Sequence, residues 1–249
     1  MSKSSRLCHV VATPLLYRDI ELMNPVKIVR LNTILSSRAD IALRVRRFHI
    51  GENLLNGAEF LPSYYNLLQK ALRQMTGLVS LSLLLRGPRS FVLTGCSFRL
   101  KSFTTACHWD IPLVRWLETQ NDITSALFCG RYHHDARISH MSLPKLQCVS
   151  ASPLILAALV PNRPVHEAEL CLNDPWPLNS DTISTTLRIL AYSSTVVSTL
   201  QFITHLTHSS ETTLGALRAV PEHLPGLASL AIHIINGFVT KVCLPFASC

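Results

Sequence analysis

Two short segments concentrate the side chains that do chemistry. Cys107-His108-Trp109-Asp110 offers a thiol, an imidazole and a carboxylate in a row. A nucleophile and its base must converge from separate elements, so neighbours in sequence rarely form such a pair. Trp109 therefore reads as a packing residue and Asp110 as the cap of a following helix. The second segment, Cys129-Gly130-Arg131-Tyr132-His133-His134-Asp135 with His140 beyond it, holds the densest group of metal-ligand types. Zinc needs about four converging ligands. His133 and His134 are adjacent, and in extended chain they point to opposite sides. A polar loop is the expected outcome, with no metal and no cofactor. No Gly-x-Ser-x-Gly elbow, His-Glu-x-x-His helix or Walker-type loop occurs. A hydrolase using Cys107 and His108, or a metal at His133 and His134, stays open as the minor reading; the main one is not an enzyme.

The elements that would carry these residues show a recurring pattern, apolar-x-x-apolar-x-apolar. It starts at Val45, Leu78, Leu100, Ile123, Leu143, Val165, Val197 and Leu227, at intervals of 33, 22, 23, 20, 22, 32 and 30 residues. The last two apolar positions alternate as in a short strand. Four intervals fall in the range of leucine-rich repeats and three exceed it. Between the strands, helical spacing predicts helices over 25–36, 62–75, 111–120, 153–160, 179–192 and 210–220, the last ended by Pro221. One strand-and-helix unit cannot bury both its faces alone; stacking does so. The expected fold class is α/β, a leucine-rich-repeat-like solenoid with a curved parallel sheet inside and helices outside. A doubly wound sheet would show longer apolar strands and a Gly-rich first turn. This chain has only nine glycines and no Gly-x-Gly-x-x-Gly. The repeats at Leu100 and Ile123 are the weakest, because Thr105 and Ala126 occupy core places.

Of 249 residues, 48% are hydrophobic and 15% charged, which excludes a disordered chain. No apolar run approaches the roughly 20 residues of a membrane-spanning helix, and no secretory signal is evident. Eight scattered cysteines without a Cys-x-x-Cys pair read as free thiols in a reducing compartment, cytoplasm or nucleus. The net charge of +8 is uneven: residues 1–50 hold nine Lys or Arg against three acids, and residues 151–200 hold two against four. The cluster Arg44, Arg46, Arg47 has no aromatic interleaving beyond Phe48, so a solvated basic face is the reading and nucleic acid is not an expected partner.

The segment Cys8 to Leu22, above all Ala12-Thr-Pro-Leu-Leu-Tyr-Arg18, resembles the end of an F-box and its exit into a first repeat, as in fungal F-box proteins. The run Ala42-Leu-Arg-Val-Arg-Arg-Phe48, Gly95-Cys-Ser-Phe98, Trp109-Asp110 and the stretch Pro153 to Pro164 are similar to the repeat region of that family. The resemblance implies residues 1–22 as a remnant of the F-box C-terminal helix and linker, and 23–249 as an irregular repeat domain. It further implies a substrate-receptor subunit of a Skp–cullin–F-box ubiquitin ligase, with no catalytic residue of its own. Its partners would be a protein substrate and, given a complete F-box, a Skp-type adaptor. The leading Leu-Pro segment and first helices of an F-box are absent here, which implies a truncated product; the abrupt end at Leu244–Cys249 fits a cut chain too. A non-functional fragment is the alternative.

In such a solenoid the side chains between the apolar strand positions face the concave surface. Those expected to meet a partner are Arg47, His49, Ser80, Ser82, Ser102, Thr104, Lys145, Gln147, Glu167, Glu169, Thr199 and Gln201. The first strands present cations and the sixth presents two acids on one face, which predicts a partner with a complementary charge gradient.

Overall fold

The computed structural model describes residues 15–51, 60–172, 180–205, 210–235 and 242–245. Nine parallel strands follow one another side by side in chain order: β1 Asp19–Leu22, β2 Arg47–Gly51, β3 Ser80–Gly87, β4 Ser102–Cys107, β5 Ser125–Phe128, β6 Cys148–Ala151, β7 Glu167–Cys171, β8 Thr199–His205 and β9 Ser229–Ile235. A tenth, β10 Val242–Pro245, pairs antiparallel with β9. Helices alongside are α1 Pro25–Ser37, α2 Ala39–Ala42, α3 Pro62–Gln74, α4 Ile111–Leu117, α5 Pro153–Leu159, α6 Ser180–Leu190 and α7 Ser210–His223. The sheet is open, and the chain is an α/β solenoid of leucine-rich-repeat type.

A backbone device repeats along the whole sheet. The carbonyl just ahead of one strand accepts two N–H groups from just ahead of the next. Arg18 O takes Arg46 and Arg47; Arg46 O takes Val79 and Ser80; Val79 O takes Lys101 and Ser102; Lys101 O takes Thr124 and Ser125. The series continues through Thr124, Gln147, His166 and Ser198, all at 2.8–3.3 Å. Each fork sets the register of the strand it opens, so the inward side chains line up. One row runs Ile20, Phe48, Leu81, Phe103, Ala126, Val149, Ala168, Leu200, Leu230. All nine are buried in one continuous core.

The uneven repeat length has a physical cause. The long intervals hold the long helices α1, α3, α6 and α7 of 11–14 residues. The short ones hold the 7-residue helices α4 and α5, a single 3-10 turn Ser90–Leu93, or a loop over 129–147. Strands sit about 4.8 Å apart and packed helices about 8–10 Å apart. A helix for every strand would bend the sheet with strands inside, and units without a long helix demand less of that bend. Aromatic rings fill the space the short helices leave. Phe103 meets Trp116 at 5.0 Å and Phe128 at 5.9 Å, and Trp109 meets Phe128 at 5.2 Å. Trp109 is fully buried, and its indole N–H donates to the Ala136 carbonyl at 2.9 Å. The suspect core residue Thr105 is fully buried too, and its hydroxyl accepts the Cys107 N–H at 3.1 Å.

Helix starts follow their sequence signals. Proline stands at the first or second position of α1, α3, α4 and α5, where no intrahelical donor is lost. Asn24 and Asp110 cap α1 and α4 through their side chains. Asn179, where the helix over 179–192 is expected to start, lies outside the described residues, as does Ala12–Pro14 of the F-box-like phrase.

Three expectations are corrected. The repeat starting at Leu143 is displaced by three residues: β6 begins at Cys148, with Leu146, Val149 and Ala151 inside. Leu143 is also fully buried, but in a turn with φ of 55°, so buried leucines at spacing three misled the count. Second, α7 runs past Pro221 to His223. In a last turn proline forfeits a single backbone bond, and Leu224 N still reaches Val220 O at 2.8 Å. Third, the parallel sheet starts earlier than the first repeat recognised, since Tyr17-x-x-Ile20-x-Leu22 has the same form and supplies β1.

Candidate binding face

Register brings ten of the twelve expected contact residues onto one face in two rows. The first row reads Asp19, Arg47, Ser80, Ser102, Ser125, Cys148, Glu167, Thr199, Ser229. The second reads Glu21, His49, Ser82, Thr104, Leu127, Ser150, Glu169, Gln201, Ala231. Lys145 and Gln147 are not on these strands. The shift of β6 leaves them in the turn that enters it, where Lys145 pairs with Asp122 at 2.6 Å and the Gln147 backbone forms one of the forks. Cys148 and Ser150 take their places in the rows.

Charge sits at both ends of the face, with Asp19, Glu21 and Arg47 at β1–β2 and Glu167 and Glu169 on β7, so the rows do not run from cations to acids. At the β1–β2 end Arg47 grips Asp19 in a two-pronged pair of 2.8 and 2.9 Å. This guanidinium is the main reason the Asp19 carboxyl is held below its ordinary value. The middle strands present neutral Ser80, Ser82, Ser102, Thr104 and Ser125. Adjacent in the second row, His49 Nε2 and Ser82 Oγ are both shut off from solvent and unpartnered among the described residues. Left unpaired, such a buried polar group costs about 1–3 kcal/mol.

The β6–β9 end is acidic. Glu169 accepts the Ser150 hydroxyl. Glu167 stands 3.5 Å from the Cys148 thiol and 3.5 Å from Gln201 Nε2. Ser150 also meets Cys171 at 3.4 Å, and Gln201 meets His233 at 3.2 Å. Burial, above all, pushes the Cys171 thiol up to about 11. Burial and then Glu167 raise Cys148. Both therefore act as neutral hydrogen-bonding thiols. Among the described residues no Lys or Arg reaches ion-pair distance of Glu167 or Glu169, although both are half-buried.

The two segments with chemical side chains are arranged for packing. Asp110 accepts Leu113 N at 3.0 Å and the Ser90 hydroxyl, so its carboxylate caps α4. Cys107 is buried at the end of β4. His108 turns to His133 across the units, Nδ1 to Nε2 at 3.2 Å. His134 packs edge-on to Tyr132. The structure thus joins one histidine from each segment, a pair that local spacing could not reveal. Among the described residues no group of three or more His, Cys, Asp or Glu is placed to hold a metal ion. No described helix is long and apolar enough to cross a membrane.

No family model matches the chain, and no curated protein matches it. Among solved structures, the chain is similar to the leucine-rich repeat-containing protein LegL7 from Legionella pneumophila, at 13% identity and a TM-score of 0.44, over 87% of this chain and 72% of that one.

Proposed function

We propose that this chain is a protein-interaction module that binds its partner across the open face of the sheet. The observation that carries the reading is the pair Glu167 and Glu169. Two half-buried carboxylates two residues apart on one strand, without a cation of their own among the described residues, create a demand that a basic segment of a partner meets. A charged pair at the rim of an interface contributes modestly, about 0–1 kcal/mol, so the carboxylates set specificity and rate more than affinity.

The finer reading is a substrate receptor, or part of one, for a Skp–cullin–F-box ubiquitin ligase, in the cytoplasm or nucleus. It rests on the F-box-like phrase at Ala12–Arg18. Quantitative capture from a cell extract compares the parent chain with Glu167→Lys/Glu169→Lys. Loss of a discrete set of proteins from the variant is expected, and identical sets contradict the interaction face. Retention of a purified Skp adaptor tests the ligase assignment separately; no retention rejects the assignment and leaves the binding face standing.

A further inference from the structure

We infer that the arginine-lined pocket where β1, β2 and β3 begin is a second recognition site, built for the side-chain carboxylates of an acidic peptide. The inference goes beyond the acidic end of the open face. Along the first row, four strand steps of about 4.8 Å separate Ser80 from Glu167, roughly 19 Å. The pocket has a volume of about 510 Å³, and its lining includes Arg18, Arg44, Arg46, Arg47, Asp19 and Val79. Four guanidinium groups thus face one acid.

Three of the four are held in place by the fold. Arg46 Nη1 donates to Gly77 O at 2.7 Å, Arg44 Nε to Asp40 O at 3.2 Å, and Arg47 to Asp19. Each guanidinium has five N–H donors, so each anchor leaves donors over for a ligand. Holding them in advance removes much of the ordering cost that a flexible side chain brings to binding. Gly77 is part of the device: a β-carbon there would come within 2.5 Å of Arg46 Nη1. Arg18 has no side-chain hydrogen bond among the described residues, and its charge acts on Asp19 beside Arg47.

The chemistry selects among anions. Among the described residues no aromatic ring lines the pocket, so the bases of a single strand have nothing there to stack on, which disfavours nucleic acid. Asp19 already lies forked on Arg47, which shows that a planar carboxylate fits here. Its own negative charge opposes a doubly charged phosphate more than a single carboxylate. An extended peptide continuing past the pocket would next meet Ser102 on the open face.

The test is fluorescence anisotropy of a labelled poly-glutamate peptide titrated with the full chain. Binding is expected at low salt and should weaken as salt rises. Arg18→Glu/Arg44→Glu should weaken it about tenfold or more. Gly77→Ala, which displaces Arg46, should weaken it too, while Glu167→Lys/Glu169→Lys should not. That last arm separates failure of this site from failure of the open-face reading. Circular dichroism checks each fold, and Arg18→Gln with Arg44→Gln replaces the reversal if that variant does not fold. The inference is overturned by no binding up to about 1 mM, by undiminished binding to the arginine variants, or by tighter binding of a phosphoserine peptide or an oligothymidylate.

Discussion

Arg163 Nε donates to the carbonyl of Ser142 at 2.7 Å, binding together two successive units through one side chain. Arg163 is 1% exposed and has no acidic partner among the described residues. It donates to Leu159 O at 2.6 Å and Ser139 O at 2.8 Å as well, with Pro161 O and Ala158 O further off. The acceptors at Ala158 and Leu159 are the loose carbonyls at the end of α5, where partial negative charge gathers. Burial lowers its pKa to about 10, so it stays charged at neutral pH. Arg163→Met should destabilise the chain by about 3 kcal/mol or more in urea unfolding, because several buried carbonyls lose their donors at once. Arg163→Lys, with one compact head in place of a fork, should recover only part of it.

The displaced sixth strand gives a sharp contrast between neighbours. Val149 points into the core and Cys148 onto the open face. Val149→Asp should abolish the cooperative melt, since it buries an unpaired charge. Cys148→Lys should fold, and its ammonium would lie beside Glu167. The reverse pattern would restore the frame that starts at Leu143.

Trp109 stands where the units are thinnest. Trp109→Ala removes a fully buried ring and frees the Ala136 carbonyl. A loss of about 3–5 kcal/mol is expected in thermal or urea unfolding. Trp109→Phe should cost less but more than zero, because the ring is kept and the indole donor is not.

His108 gives the chain a pH dependence. Burial, above all, and then the nearby His133 and Arg131 hold it below its ordinary value of 6.5, with Asp110 opposing. As pH falls below 6.5 the unfolded chain takes up this proton before the folded one does. The contribution is therefore complete above that value and is lost as pH falls through the lower folded value. Urea midpoints should drop on acidification, and His108→Gln should flatten that slope. An unchanged slope would mean that His108 does not titrate differently in the folded and unfolded chains.

Much of the fold is legible in the sequence because the repeat is a periodic signal. Apolar positions such as Phe48, Leu81, Phe103, Leu200 and Leu230 mark their strands directly, and proline and capping residues mark helix starts. What escapes has local causes. Leu143, Leu146 and Val149 are all buried at spacing three, so the pattern cannot choose its frame; only the backbone fork from Thr124 does. Ser125 and Ser150 carry no signal of their own and are placed on the face by register. The His108–His133 contact joins residues 25 apart whose meeting depends on how two units stack. The arginine pocket is visible as a basic cluster, but its anchoring by Gly77 and Asp40 carbonyls is a property of the folded turns.

Site-specific photo-crosslinking tests the binding face most directly. A photoreactive residue placed at Ser102, on the open face, and another at Thr119, exposed beyond α4 on the helical side, report which side a captured partner touches. Adducts at the first position and none at the second are expected; adducts confined to the second would contradict binding across the open face.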